Sequence, residues 1–215
     1  MCGELSFTTL ARFITVPPGR FTLILYFGEP MTRTSTQSRV PLAERNEVPV
    51  EVAILYDKLQ ADRGVVPNMF KALSNVPDLV LGTAAFLRGL MCEGALPGWY
   101  KELISVRVAS LNDCEYCISA HRHLASKRGA SAEQVAAIDS YESGPFSEKE
   151  KAGFRYTEKL HVSGHAIDDA AFAALRKHFN SKEIIELTAV ASSFEFFTRM
   201  NTALHIPVTP LPPER

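Results

Sequence analysis

Between residues 50 and 203 the chain is punctuated for helices. Of its 13 prolines only Pro67, Pro77, Pro97 and Pro145 fall in this stretch, each where an apolar-periodic run starts or stops, as suits the first turn of a helix. Ser131-x-x-Gln134 and Ser147-x-x-Glu150 are capping boxes: hydroxyl and distal side chain reciprocally satisfy backbone N–H groups that a helix start leaves open. The last long run sets Ile184, Leu187, Ala191, Phe194 and Thr198 at steps of three and four, with Val190, Phe197 and Met200 beside them, a wide apolar stripe. A helix over 97–111 carries Trp99, Leu103 and Val106 on one side and Ile104, Val108 and Leu111 on another, so it is expected to be buried between helices. No alternating run with a hairpin turn competes. The expected fold is all-α, about seven or eight helices in one domain without a sheet.

One stretch of this framework carries chemistry. Cys114-Glu-Tyr-Cys117-Ile-Ser-Ala-His121 follows Glu102 by twelve residues. Cys-x-x-Cys has two common readings, a redox dithiol and half of a zinc site. If 113–128 is helical, at about 100° per residue Cys114, Cys117 and His121 share an arc of about 60°. His123 falls on the opposite side, so the two thiols and two imidazoles cannot close around one tetrahedral zinc without breaking the helix. Asn112 and Asp113 are natural N-caps and Glu115 stands in a capping-box relation to Asn112, which places Cys114 in the first turn. The unpaired N–H groups and positive dipole end there favour thiolate, the form that attacks peroxides and disulfides. His121, one turn beyond Cys117, can take or relay the proton. On the 97–111 helix Glu102 neighbours Trp99, Val106 and Ala109, where it would be desolvated and could serve as a proton reservoir.

Each residue also has a plainer reading. Cys92 in Leu90-Met91-Cys92 reads as a small core residue, and Cys114 with Cys117 could be a packed pair without turnover. His121 alone would be an ordinary satisfied histidine and Glu102 a solvated helix charge. His161-x-x-x-His165 has metal-pair spacing, but Gly164 lies between and no third ligand is visible, so no metal is expected there. Phe194, Phe196 and Phe197 read as core or subunit interface.

Glu102, eleven residues, then Cys114-x-x-Cys117-x-x-x-His121 resembles the signature of the alkyl hydroperoxidase D-like group within the carboxymuconolactone decarboxylase superfamily. The resemblance extends to Val66-Pro67-Asn68-Met69-Phe70, Glu93-Gly94-Ala95-Leu96-Pro97 and the run Arg199 to Leu204, and covers about residues 40 to 208. It implies an AhpD-like helical fold, a homo-oligomer (trimer or hexamer), and reduction of a small hydroperoxide by a cysteine pair cycling through a disulfide. By that resemblance Cys117 is the peroxidatic thiol, Cys114 its resolving partner, and His121 with Glu102 a proton relay. Where alkyl hydroperoxidase D has a second His, this chain has Tyr116, whose phenol can hydrogen-bond but relays protons poorly at neutral pH. Helix-start position favours Cys114 as the more acidic thiol, whereas nearness to His121 favours Cys117.

Composition fits a cytosolic enzyme. The 215 residues, 46% hydrophobic, suffice for one sizeable core with appendages. Lys+Arg of 23 against Asp+Glu of 24 leaves −1, with no basic block for nucleic acid or an anionic membrane. Four cysteines in this length are no disulfide scaffold. The apolar run at 21–27 is too short to span a membrane, and Pro17-Pro18-Gly19 and Glu4 argue against a signal peptide. The expected division is an extension and arm over 1–49, in which 1–30 reads as dispensable and as starting from an upstream codon, a catalytic domain over 50–206, and a Pro-rich tail over 207–215. The expected chemistry needs no metal, flavin or nucleotide, and an external dithiol restores the pair. Two alternatives stand beside it: a lactone-decarboxylase-like activity, which needs proton transfer but no thiols, and a non-enzymatic dithiol switch.

Overall fold

The structure, a computed structural model, describes residues 37–210; the run at 21–27 and the expected extension over 1–30 lie outside them. Among the described residues there are nine α-helices and no strand. They are α1 (Val50–Arg63), α2 (Asn68–Leu73), α3 (Pro77–Met91), α4 (Gly98–Leu111), α5 (Glu115–Lys127), α6 (Ala132–Ala137), α7 (Glu148–Val162), α8 (Asp169–Arg176) and α9 (Ser181–Ala203). The number exceeds the expected seven or eight because α2 and α6 have six residues each and α8 eight, too short for a helical period to show in a sequence window. The capping boxes at Ser131 and Ser147 form as expected, and Pro77 occupies the first turn of α3. None of the described helices is long and apolar enough to cross a membrane.

Buried α4 organises the rest. Leu103, Ile104, Val106 and Val108 are inaccessible to solvent, and the helix packs against α5, α7 and α9. Each such side chain contributes roughly 1.5–3 kcal/mol by leaving water. Toward α7 the core is aromatic: Phe154 meets Tyr100 and Phe146 edge-on with ring centroids 5.2 Å apart. Gly153 makes that contact possible, since a Cβ there would fall on the Tyr100 hydroxyl, which donates to the Glu150 carbonyl at 2.7 Å. A second apolar cluster lies under α1, α2 and α3. It joins Tyr56, Phe70 and Val80 to Phe197 of α9 and encloses Cys114, Tyr116 and Cys117.

Two polar features clip these layers together. Lys101 is 1% exposed, and its Nζ donates to the carbonyls of Leu90 (3.1 Å) and Cys92 (2.9 Å) and pairs with Glu186 at 2.7 Å. Glu186 also accepts from the N–H groups of Ala95 and Leu96, so all charge buried here is compensated. The segment before α1 lies on the helices: Arg39 N–H donates to the Leu204 carbonyl at 2.9 Å and Ala43 N–H to that of Lys71 at 3.2 Å.

Candidate active site

The turn between α4 and α5 presents the thiols. Asp113 takes φ 50°, a left-handed conformation that Asp tolerates better than most side chains, and this reverses the chain. The expectation that Asn112 caps α5 with Glu115 is thereby corrected. Asn112 closes α4, and its carboxamide donates to the Val108 carbonyl (3.2 Å) and to Glu195 (3.0 Å). Cys114 is itself the N-cap, one residue outside the expected first turn, with its Sγ accepting the Cys117 N–H at 3.3 Å. A helix-start N–H therefore still faces the Cys114 sulfur, where it favours the thiolate. The Cys114 and Cys117 sulfurs are in disulfide contact across a Cα separation of 5.3 Å, within the range such a bridge spans.

His121 stands one turn beyond Cys117 on the same helix, and its Nδ1 lies 2.5 Å from Glu102 Oε2. Glu102 is 1% exposed. It is not the lone desolvated acid expected from the sequence, because Arg128 Nε approaches its other oxygen at 3.2 Å. Arg128 is in turn held by the Met91 carbonyl. With Nδ1–H donating to the carboxylate, Nε2 becomes the basic nitrogen of His121. Phe194 packs edge-on against the ring, centroids 4.5 Å apart, and fixes its plane.

Two further groups bear on the sulfurs. Asn201 of α9, 2% exposed, donates from Nδ2 to Cys117 Sγ at 3.4 Å. Tyr116 turns elsewhere: its hydroxyl oxygen accepts the Met69 N–H at 3.2 Å, at the start of α2. Burial pushes this phenol above its ordinary value, against the opposing pull of hydrogen bonds with Thr209 and Met69 and of the Arg63 charge.

A cavity of about 540 Å³ adjoins these groups. Cys117, Glu102, His121, Tyr116, Arg128 and Asn201 line it, and Cys114 does not. Most of its remaining wall is apolar, from Leu55 and Leu59 of α1, Leu81 and Leu87 of α3 and Phe197 of α9. It wraps far enough around α5 that His123, on the side away from the thiol face, also lines it.

Cys92 corrects a second expectation. It ends α3 as an exposed free thiol on the cavity wall, because its Cα lies past the last helical turn that packs inward. His161 pairs through Nδ1 with Glu195 at 2.7 Å, while His165 is exposed. Of the aromatic stripe, Phe194 and Phe197 are buried and Phe196 is exposed. Arg128 and Asn201 escaped the sequence reading. Their signals were faint: Arg128 follows His121 by two helical turns, and Asn201 is a polar residue within an apolar stripe, one turn after Phe197.

Comparison with known proteins agrees with this architecture. Residues 77–159, from α3 into α7, match the carboxymuconolactone decarboxylase family. The uncharacterized protein YnjA of Escherichia coli K12 is 30% identical over 108 residues, which span 50% of this chain and 59% of YnjA's own length. The crystal structure of an alkylhydroperoxidase AhpD core, an uncharacterized peroxidase-related protein from Ralstonia eutropha JMP134, superposes with a TM-score of 0.75 and 24% identity, over 80% of this chain and 92% of that one. The debrominase Bmp8 superposes with a TM-score of 0.71 and 20% identity, over 81% and 94%. At such identities the structural likeness is one of fold. The family match spans the segment that carries Glu102 and both thiols, and the fold of the whole described region is AhpD-like, so the chain is similar over this segment to the carboxymuconolactone decarboxylase family.

Proposed function

We propose that this protein is a thiol-dependent hydroperoxidase with Cys117 as the attacking thiol. The observation that carries the reading is the cavity itself: it meets Cys117 and the Glu102–His121 pair but not Cys114. A Cys117 thiolate attacks the distal oxygen of the hydroperoxide, the O–O bond breaks, and the sulfur becomes a sulfenic acid while the leaving alkoxide takes a proton from His121. Glu102 orients the imidazole through Nδ1. The Cys114 thiolate then displaces hydroxide from the sulfenic acid, which leaves as water once protonated, and the disulfide forms. An external dithiol returns both thiols, and no metal or organic cofactor enters the cycle.

The same fold serves the debrominase Bmp8, so the lining and not the fold has to select the substrate. Here the volume suits an organic hydroperoxide with a sizeable apolar body. Lys58, Arg63, Arg88 and Lys127 also line the cavity and form no ion pair with described residues, and they outnumber the Asp62 carboxylate beside them, which favours an acidic group on the substrate. A homo-oligomer is part of the proposal.

Consumption of tert-butyl hydroperoxide in the presence of a dithiol reductant tests the reading. Cys117→Ser should abolish turnover, and Cys114→Ser should leave Cys117 as a sulfenic acid that a dimedone probe captures. Consumption that survives Cys117→Ser would sink the assignment. Activity indifferent to thiol alkylation would favour the lactone-decarboxylase-like reading, and a change of assembly on oxidation without turnover would favour a redox switch.

A further inference from the structure

We propose that Asn201 forms a subsite on the cavity wall for a ligand presenting an O–H donor, holding Cys117 with one end of its carboxamide and the hydroperoxide with the other. The identity of that donor rests on the hydroperoxidase reading; the contact with sulfur does not.

Asn201 has one polar atom to spare. Its Nδ2 is committed to Cys117 Sγ at 3.4 Å, and its backbone carbonyl accepts the Ile206 N–H at 3.0 Å. Oδ1 is buried and has no hydrogen-bond partner among the described residues. Native proteins leave few such acceptors unpaired, and those they leave call for a partner. The neighbouring Thr198 hydroxyl cannot serve, since it already donates to the Phe194 carbonyl at 2.6 Å. Packing alone does not explain an asparagine here either. Phe194 and Phe197 occupy the same face of α9, where an aliphatic side chain would fill the space without a polar cost.

The residue lines the cavity, which places its carboxamide, with the unpaired Oδ1 buried beneath the surface, at the wall that a bound ligand would meet. In a hydroperoxide the oxygen that sulfur attacks is also the one that bears hydrogen. A planar carboxamide that donates N–H to the thiolate and accepts O–H from that oxygen sets nucleophile and electrophile side by side. The step balances as before: the S–O bond forms as O–O breaks, sulfur loses two electrons to the peroxide, and the alkoxide is protonated by His121. Throughout, the peroxide O–H stays on its oxygen and becomes the sulfenic acid hydrogen, with Oδ1 as its acceptor.

Two measurements on the reduced protein in a Cys114→Ser background test the two ends separately. The first is the iodoacetamide alkylation rate of Cys117 against pH. Asn201→Asp places a carboxylate against the sulfur and should move the midpoint up by about one pH unit or more, about tenfold slower alkylation below both midpoints. An unchanged midpoint overturns the sulfur contact. The second is single-turnover oxidation of Cys117 by tert-butyl hydroperoxide at a pH where every variant is fully thiolate. Asn201→Leu and the less bulky Asn201→Ser should be oxidised at least about tenfold more slowly while alkylating at the parent rate. Equal oxidation rates overturn the subsite, and circular dichroism and melting identify any variant that has not folded. A parent protein that peroxide does not oxidise removes the hydroperoxidase reading and the peroxide end with it, whereas a shifted midpoint in that protein still establishes the sulfur contact.

Discussion

Tyr116 precedes Cys117 by one residue, yet its phenol serves the packing of another helix. The Met69 N–H is one of the donors that the start of α2 leaves without an intrahelical partner, and the Tyr116 oxygen satisfies it. In that role the hydroxyl is an anchor and not a relay. Tyr116→Phe should cost about 1 kcal/mol in urea denaturation, the net worth of a buried hydrogen bond, and change peroxide turnover by less than about threefold. A positioned proton carrier contributes about 10²-fold or more, so a loss of that size would restore the relay role. Arg128 illustrates the other direction. Its side chain folds back to the Met91 carbonyl and onto Glu102, so the carboxylate that holds His121 also has a guanidinium partner, and the set of groups around the imidazole is wider than the motif.

At the scale of elements, α5 and α9 meet at the cavity and place the site. The N-terminus of α5 supplies the thiols and the electrostatic bias; α9 brings Phe194, Phe197 and Asn201 against them. The far end of α9 is capped by Asn180, whose Oδ1 accepts the N–H groups of Lys182 (2.9 Å) and Glu183 (3.1 Å), with Glu183 returning the bond to the Asn180 N–H. Asn180→Ala should lower stability by about 1 kcal/mol. At about 1.5 Å per residue the cap lies about 30 Å from Asn201, so activity per folded molecule should stay at the parent value. Thermal melting together with titration of reactive thiols separates the two effects. The helix starts at Ser131 and Ser147 were legible because a capping box is local chemistry. The start of α5 was misplaced by two residues because the left-handed Asp113 answers to how α4 and α5 pack, and no cap motif encodes that.

For the molecule as a whole, the Lys101–Glu186 pair links α4, the end of α3 and α9. Burial works against the ionised Glu186, but Lys101 and the Leu96 and Ala95 N–H groups outweigh it and hold the carboxyl below its usual value. A carboxyl depressed in the folded state stabilises the protein above its ordinary value and loses that contribution as pH falls through the folded one. Urea midpoints should therefore decline between about pH 5 and about pH 3, and Glu186→Gln should flatten the decline attributable to this group. Glu186→Ala strands the Lys101 ammonium and should cost about 3 kcal/mol at neutral pH. A smaller loss would mean that the Leu90 and Cys92 carbonyls suffice for it. Nothing local marks this pair: Lys101 and Glu186 are 85 positions apart, and a lysine inside an apolar helix reads as a surface residue until its partner is placed. Cys92 failed for the converse reason, because an apolar context says nothing about which side of the helix end faces solvent. What the amino-acid sequence determined by itself was whatever has a helical period or a short motif: the all-α class, the apolar stripes, two capping boxes, and Cys117 and His121 on one face. The tertiary structure alone decided which thiol meets the cavity, that Arg128 shares Glu102, and that Asn201 touches the Cys117 sulfur. Those contacts join residues from separate helices, and their existence depends on how the helices pack, which no spacing along the chain records.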